Sequence, residues 1–256
     1  GEETLSADGK ESLTDRSEDE TRFFCLLAGD SAKAAPELID VDEQFFRRLG
    51  HELEFQRKQL AVRLEKRRKE KARAGSFAVE RDFDIRRLSS RLALLHRFGV
   101  DMCLGRLSMA DGAHPLYIGR VGVRAADGTQ LLVDWRAPIA QPFFAATRLD
   151  PMGVVSRRRY RWDSGHVMNY WDEVLDFDRL GVEAAFDDES AFMAGLAEER
   201  SARMRDVLAT IQADQDEIIR RDAAGPLVVD GGPGTGKSVV ALHRIAYLLY
   251  SNRHIE

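Results

Sequence analysis

From Phe46 onward the apolar positions fall in a helical rhythm. Phe46, Leu49, Leu53, Gln56, Leu60 and Leu64 recur at steps of three and four, which places them on one face of an α-helix. Gln56 interrupts that face, and beyond Leu64 it becomes very polar. Asp40, with Glu43 three positions on, forms a capping box and predicts that the helix begins there. Ala74-Gly75-Ser76 breaks the pattern. It restarts as Ala78, Arg81, Ile85, Leu88, Leu92 and Leu95 and stops near Gly99, a natural terminator. Two long helices joined by a tight break, each with a narrow apolar seam, predict an antiparallel coiled-coil hairpin over residues 40–100. Its second helix, at about 22 residues, would reach roughly 33 Å, long enough to probe a deep channel.

From Leu116 the period becomes strand-like. Leu116–Arg124 and Thr129–Trp135 flank Ala125-Ala126-Asp127-Gly128, where Asp-Gly suits a hairpin turn. Pro138 has no N–H to donate and ends that pair. Val154–Trp162 and His166–Trp171 flank Asp163-Ser164-Gly165, a second hairpin. Residues 101–185 therefore read as a mainly antiparallel β module packed around Tyr117, Trp135, Phe143, Phe144 and Trp162. Within it, alternation points Arg158 away from Arg157 and Arg159, and surface solvation accounts for all three. Asp187-Asp188-Glu189 suits a helix start, and a helical stretch over Ser201–Arg220 leads on.

Composition narrows the class. The chain has 256 residues, 44% hydrophobic and 32% charged, enough for a packed core and incompatible with wholesale disorder. Lys plus Arg number 38 against 43 Asp plus Glu, a net charge of −5, which excludes a uniformly basic nucleic-acid binder but not a local patch. The first twenty residues hold eight acids and two bases, so residues 1–39 read as an acidic, largely disordered leader. Two cysteines, Cys25 and Cys103, make no disulfide framework and suit a reducing cytosol. Phe23–Gly29 is a short apolar run behind an acidic segment, unlike a signal peptide, and no stretch approaches membrane-spanning length. A cytoplasmic protein with neither a membrane partner nor an oligomeric one is expected.

Between Arg57 and Arg73 lie nine bases and two acids, Glu65 and Glu70. The run is either a solvated helix face or an electrostatic contact with nucleic acid or an acidic groove.

One motif carries defined chemistry. Gly231-Gly232-Pro233-Gly234-Thr235-Gly236-Lys237-Ser238 matches the phosphate-binding pattern G-x-x-x-x-G-K-[ST], the Walker A motif, in full. Leu227-Val228-Val229-Asp230 reads as the strand before it, and Ser238 opens the amphipathic helix Val239–Tyr250. The glycines let backbone N–H groups turn around phosphate oxygens, Lys237 supplies a cation toward the β and γ phosphates, and the Ser238 hydroxyl suits Mg²⁺. ATP and Mg²⁺ are the expected ligands. Sixteen residues upstream, Gln215 offers a donor and an acceptor side by side, suited to the edge of adenine.

Other catalytic signals are weak. The six histidines lack metal-ligand spacing, and no serine sits in a G-x-S-x-G elbow. Phosphoryl transfer also needs an acidic strand end for Mg²⁺ and an arginine finger, usually from later strands of the same sheet. The sequence stops 18 residues after Ser238 and reads as the front portion of a larger ATPase, not expected to turn over alone. Residues 186–256 are thus a helical connector and the first strand-loop-helix of a P-loop α/β domain.

The chain resembles the N-terminal part of HelD-type proteins, helicase-like ATPases of the UvrD/Rep superfamily that bind and recycle bacterial RNA polymerase, and the related HelR group associated with rifamycin resistance. The resemblance rests on Leu104–Leu107, Leu116–Gly122, Leu132–Pro138, Asp150–Val154, Arg203–Asp206, Ala209–Ala213, Gln215-Asp216, and Gly231–Ser238 with Ala241–Arg244. It implies a coiled coil that enters the secondary channel of RNA polymerase and a β module that seats it. It also implies a RecA-like ATPase head that releases stalled polymerase from nucleic acid. Arg63, Arg67 and Arg68 of the stem would touch the polymerase or its nucleic acid. Glu80, Asp82 and Asp84 would stand near the tip, within reach of the polymerase's catalytic Mg²⁺, although acids at a helix start also simply favour its dipole. Ser238 stands where the family more often has Thr.

Two alternatives remain. An ordinary superfamily 1 DNA helicase would open close to its adenine-reading Gln, whereas more than 200 residues precede Gln215, and no basic-aromatic stacking platform is visible. A non-catalytic interaction protein would retain the partner-binding modules and a vestigial nucleotide loop.

Overall fold

The structure is a computed structural model and describes residues 22–26, 33–70, 76–176, 208 and 211–252. The acidic leader up to Thr21, the Ala74-Gly75 break, Asp187-Asp188-Glu189 and the stretch 201–207 lie outside the described residues. The chain runs through helices α1 (Pro36–Lys69) and α2 (Ser76–Arg97) to strands β1 (Cys103–Met109), β2 (Leu116–Gly119), β3 (Val123–Arg124) and β4 (Gln130–Asp134). A short helix α3 (Pro142–Ala145), long strands β5 (Val154–Asp163) and β6 (His166–Val174), and helices α4 (Ala213–Arg220) and α5 (Lys237–Ser251) follow. This is an α/β arrangement of helices and one six-stranded mixed sheet. It divides into two units, residues 1–101 with 162–169, and 102–161 with 170–256. No helix of the described residues is long and apolar enough to cross a membrane.

In the first unit α1 begins at Pro36, four residues before the expected cap. Pro suits the first helical turn, where its missing N–H would have had no partner in any case. Glu43 is therefore an interior residue, and its carboxylate serves a distant stretch of backbone. It accepts the N–H groups of Phe23 and Phe24, each at 2.9 Å. That contact seats a short extended segment, in which Cys25 N–H donates to Val167 O at 2.9 Å and Val167 N–H to Phe23 O at 2.7 Å. Phe46 is fully buried beside it, with ring centroids 5.8 Å from Phe23 and 4.9 Å from Trp162. Trp162 thus packs with the helices rather than in the sheet's core, because it stands at the hairpin tip that this unit includes.

Leu53 and Leu64 of α1 and Leu88 and Leu95 of α2 are buried, as their spacing predicts. Arginines fix the antiparallel order of the two helices. Arg57 donates to Leu95 O and Phe98 O, both at 2.9 Å, and so satisfies carbonyls that the end of α2 leaves unpaired. Farther along, Arg67 Nε lies 3.0 Å from Asp84, and Arg81 reaches Glu70 O at 3.0 Å. At 34 residues, α1 is about 51 Å long.

In the second unit the strand order is β3-β4-β2-β1-β5-β6. The expected first hairpin differs in one respect. Its leading strand is split, with β2 parallel to β4 (Ile118 opposite Val133) and β3 antiparallel to it (Val123 opposite Leu132). Arg120–Gly122 carries the chain across β4, and Arg120 N–H bonds to Met102 O at 2.9 Å instead of joining a ladder. Gly105 on β1 cannot be replaced cheaply, since a Cβ there would lie 2.1 Å from Arg158 O and 2.7 Å from the Phe143 ring. The core collects Ile118, Val133, Trp135, Phe143, Phe144 and Val154 with Ile219 and Val240 of the later helices.

Arg157, Arg158 and Arg159 are buried, not solvated. The expected alternation holds. Arg157 forks onto Glu173 and donates to Phe143 O at 2.8 Å, and Arg159 lies 3.8 Å from the same carboxylate. On the other face Arg158 Nε meets Asp172 at 2.7 Å and stacks 4.1 Å from the centroid of the Tyr170 ring. The sequence could not show that β5 lies between β1 and β6 in the sheet, its charged side chains covered.

Removing one partner of a buried pair leaves an uncompensated charge. Glu173→Ala is expected to destabilise the chain by about 3–5 kcal/mol, read as a lower thermal midpoint, and Arg157→Met in the same chain to recover part of that loss.

Candidate functional site

Residues 226–236 carry no regular structure, and α5 starts directly after them with Gly236 as its cap. The expected strand Leu227–Asp230 has not formed. A strand needs a ladder, and none of the six strands pairs with this segment, whose Val228 is 89% exposed. The loop is nonetheless tightly turned. Gly234 and Gly236 sit at φ 80° and 82°, which a side chain rarely adopts. A Cβ at Gly236 would also crowd Gln215 Nε2 at 3.3 Å.

Three further contacts shape the loop. Thr235 Oγ1 donates to Gly232 O at 2.9 Å, and Gly231 N–H donates to Asp230 at 2.7 Å. Lys237 Nζ donates to Gly231 O and Gly232 O, both at 2.6 Å, which curls the chain around the ammonium. Ser238 is exposed in the first turn of α5, beside N–H groups that no helical carbonyl satisfies. Lys237, the first-turn amides of α5 and the Ser238 hydroxyl thus stand at one loop–helix junction, residue types suited to polyphosphate and a hard metal ion.

The structure brings Gln215 to this loop from α4. Its Oε1 accepts Gln212 N–H at 3.3 Å and its Nε2 donates to Thr235 O at 3.3 Å. Behind it lie residues to which the sequence assigned no role of their own. Asp216 is 1% exposed at its side chain, and Arg220 Nε reaches its two oxygens at 2.9 and 3.0 Å. Burial raises the Asp216 pKa even though Arg220 pulls it down. Arg220 continues to Trp135 O at 2.6 Å, and Arg244 of α5 caps α4 through Ile218 O at 2.9 Å and Asp222 O at 3.1 Å. The hints available were the place of Asp216 and Arg244 among the residues that carry the family resemblance, and Asp216 and Arg220 at i, i+4 spacing.

The expected partner-contact residues fall in the helix pair and behave unequally. Arg63, Arg68 and Glu80 are exposed. Asp82 is exposed beside Arg81, at 3.2 Å. Arg67 and Asp84 are occupied with each other. Hydrogen bonds from Glu70 and Asp84 hold the Arg67 pKa above its usual value, and Arg67 holds Asp84 below the ordinary carboxylate range. Of the basic run, Lys58 also pairs with Glu54 at 2.6 Å and Lys69 with Glu65 at 3.2 Å. Val62 of the same run and Phe77, Val79 and Phe83 of α2 are large apolar side chains left exposed. Nothing in the sequence reading had marked these four.

Residues 39–190 match the family model described as DNA helicase IV HelD, N-terminal domain, more than half of the chain. A search of curated proteins finds no match.

Because Asp84 titrates lower when folded than when unfolded, its contribution is present above the ordinary carboxylate pKa and is lost as pH falls through the folded one. Thermal melts between about pH 5 and pH 2 should therefore show a smaller acid-side loss in Arg67→Met than in the parent chain.

Proposed function

The chain belongs to the HelD N-terminal domain family, and from that premise we propose that it is the partner-binding front portion of an ATP-dependent, helicase-like factor acting on bacterial RNA polymerase. The helix pair α1–α2 is the coiled-coil hairpin that enters the polymerase secondary channel. Gly231–Ser238 is the phosphate loop at the start of the RecA-like ATPase head.

The convergence of Lys237 and Gln215 on one loop is the observation that carries the nucleotide half of this reading. Lys237 faces the Gly231 and Gly232 carbonyls while Gln215 holds Thr235. Gly231–Ser238 would receive the phosphates, the Ser238 hydroxyl would hold Mg²⁺, and Gln215 would meet the adenine edge. Bound Mg²⁺-ATP would supply the phosphoanhydride whose cleavage drives release. The polymerase half is supported by the exposed Phe77, Val79 and Phe83 of α2 and the exposed Arg63 and Arg68 of α1. Exposed apolar side chains and exposed cations on one helix pair suit a partner surface with apolar recesses and acidic walls.

The family's description as a DNA helicase favours a second reading, strand binding without polymerase. Tight, salt-sensitive binding to single-stranded DNA, with no affinity for polymerase, is its signature.

Lys237→Ala should weaken binding of fluorescent ATP by at least about tenfold while leaving the circular dichroism spectrum unchanged. Arg63→Glu with Arg68→Glu should weaken co-purification with RNA polymerase at low salt, and Phe77→Ser with Phe83→Ser should weaken it at high salt too, where charge contacts are screened. Unchanged capture by both double variants would remove the helix pair from the interface.

A further inference from the structure

We propose that Arg220 is a positioning residue for base selectivity, holding Gln215 at the angle from which it discriminates adenine. The proposal rests on the nucleotide reading above and deepens it.

The helix that carries Gln215 is eight residues long, too short to be stable on its own propensity. Its direction must come from tertiary grips. At its C-terminal end the grip is Arg244, through the Ile218, Ile219 and Asp222 carbonyls. Nearer Gln215 the grip is Arg220. Its Nε donates to both oxygens of Asp216, the residue adjoining Gln215, while Nη2 reaches Trp135 O at 2.6 Å and Nη1 reaches Arg136 O at 3.4 Å. The same group lies 5.9 Å from the Phe144 ring centroid and 5.4 Å from that of Tyr247 on α5. A single side chain, 7% exposed, thus touches the Gln215 helix, the helix that follows the phosphate loop, and the exit of β4.

The consequence for a nucleotide is specific. Phosphate contacts come from Lys237 and loop amides, none of which Arg220 touches among the contacts above. Base contact comes from the Gln215 amide, whose donor and acceptor must face the right way, because guanine presents the opposite pattern at its six-membered ring edge. Releasing Asp216 lets α4 rotate and costs orientation at the base without cost at the phosphates. Lysine at this position keeps the charge but lacks the planar fork that serves a carboxylate and a carbonyl together.

The test is competition against ribose-labelled fluorescent ATP on the full chain, with ATP, GTP and inorganic triphosphate as competitors. The parent is expected to prefer ATP over GTP by about tenfold or more. In Arg220→Lys and in Asp216→Asn that preference should fall to within about threefold of unity, with triphosphate competition altered by less than about twofold. Asp216→Asn weakens the same grip without emptying the space, so it reports even if the Arg220 variant fails to fold. A preference retained in the folded variants, a parent that binds nucleotide without preferring ATP, or equal losses for ATP, GTP and triphosphate would each overturn the proposal. A parent chain that binds no nucleotide at all would instead overturn the nucleotide reading beneath it.

Discussion

A guanidinium taken out of water must find acceptors for several N–H donors at once, and a single carboxylate does not use them all. At the buried Arg157 and Arg220, and at the half-buried Arg57 and Arg244, this chain supplies backbone carbonyls. Arg57 closes on Leu95 and Phe98, Arg157 on Phe143, Arg220 on Trp135, and Arg244 on the end of α4. Each carbonyl lies at or near the end of an element, where regular structure leaves acceptors unused. The arginines therefore do two jobs with one group, satisfying their own donors and fixing where one element stops against another. Such a joint has little tolerance. An apolar contact can slide by a few tenths of an ångström, whereas a fork shared between a carboxylate and a carbonyl cannot.

That constraint separates what the sequence disclosed from what it hid. Periodicity located the helix pair through Leu53, Leu64, Leu88 and Leu95, because burial of one face repeats at the helical period. The hairpin turns at Asp127-Gly128 and Ser164-Gly165 were legible for an equally local reason, since a turn's chemistry is contained in its own residues. Glu43 shows the opposite case. Read locally it was a capping-box partner for Asp40, yet its real partners are two N–H groups about twenty positions earlier in the chain. Arg157–Arg159 were misplaced for the same reason, as their acids stand on the next strand and their cover comes from sheet order.

The Gly231–Ser238 loop was legible as a pattern and the surroundings of Gln215 were not. A glycine-rich loop advertises itself, because its backbone needs positive φ and its lysine must follow at a fixed step. Gln215 could be proposed from its amide, its distance to the loop and the family resemblance, and the contact with Thr235 supplies the missing geometry. Asp216 and Arg220 resemble an ordinary surface pair at helical spacing. Nothing local distinguishes a solvated pair from one at 1% and 7% exposure.

The segment Asp134–Pro138, which carried part of the family resemblance, acquires a mechanical meaning from these contacts. Asp134 accepts Arg136 Nε at 2.8 Å, Arg136 Nη2 at 2.7 Å and the Arg136 N–H at 2.9 Å, which folds the exit of β4 back on itself. The carbonyls of Trp135 and Arg136 are thereby turned outward, where Arg220 collects them. The side chains face α5 at the same time. Trp135 meets His243 edge to face at 5.6 Å, and Arg136 lies 4.6 Å from the Tyr250 ring centroid. Backbone and side chains of Trp135 and Arg136 thus hold the Gln215 helix and α5 against the exit of β4.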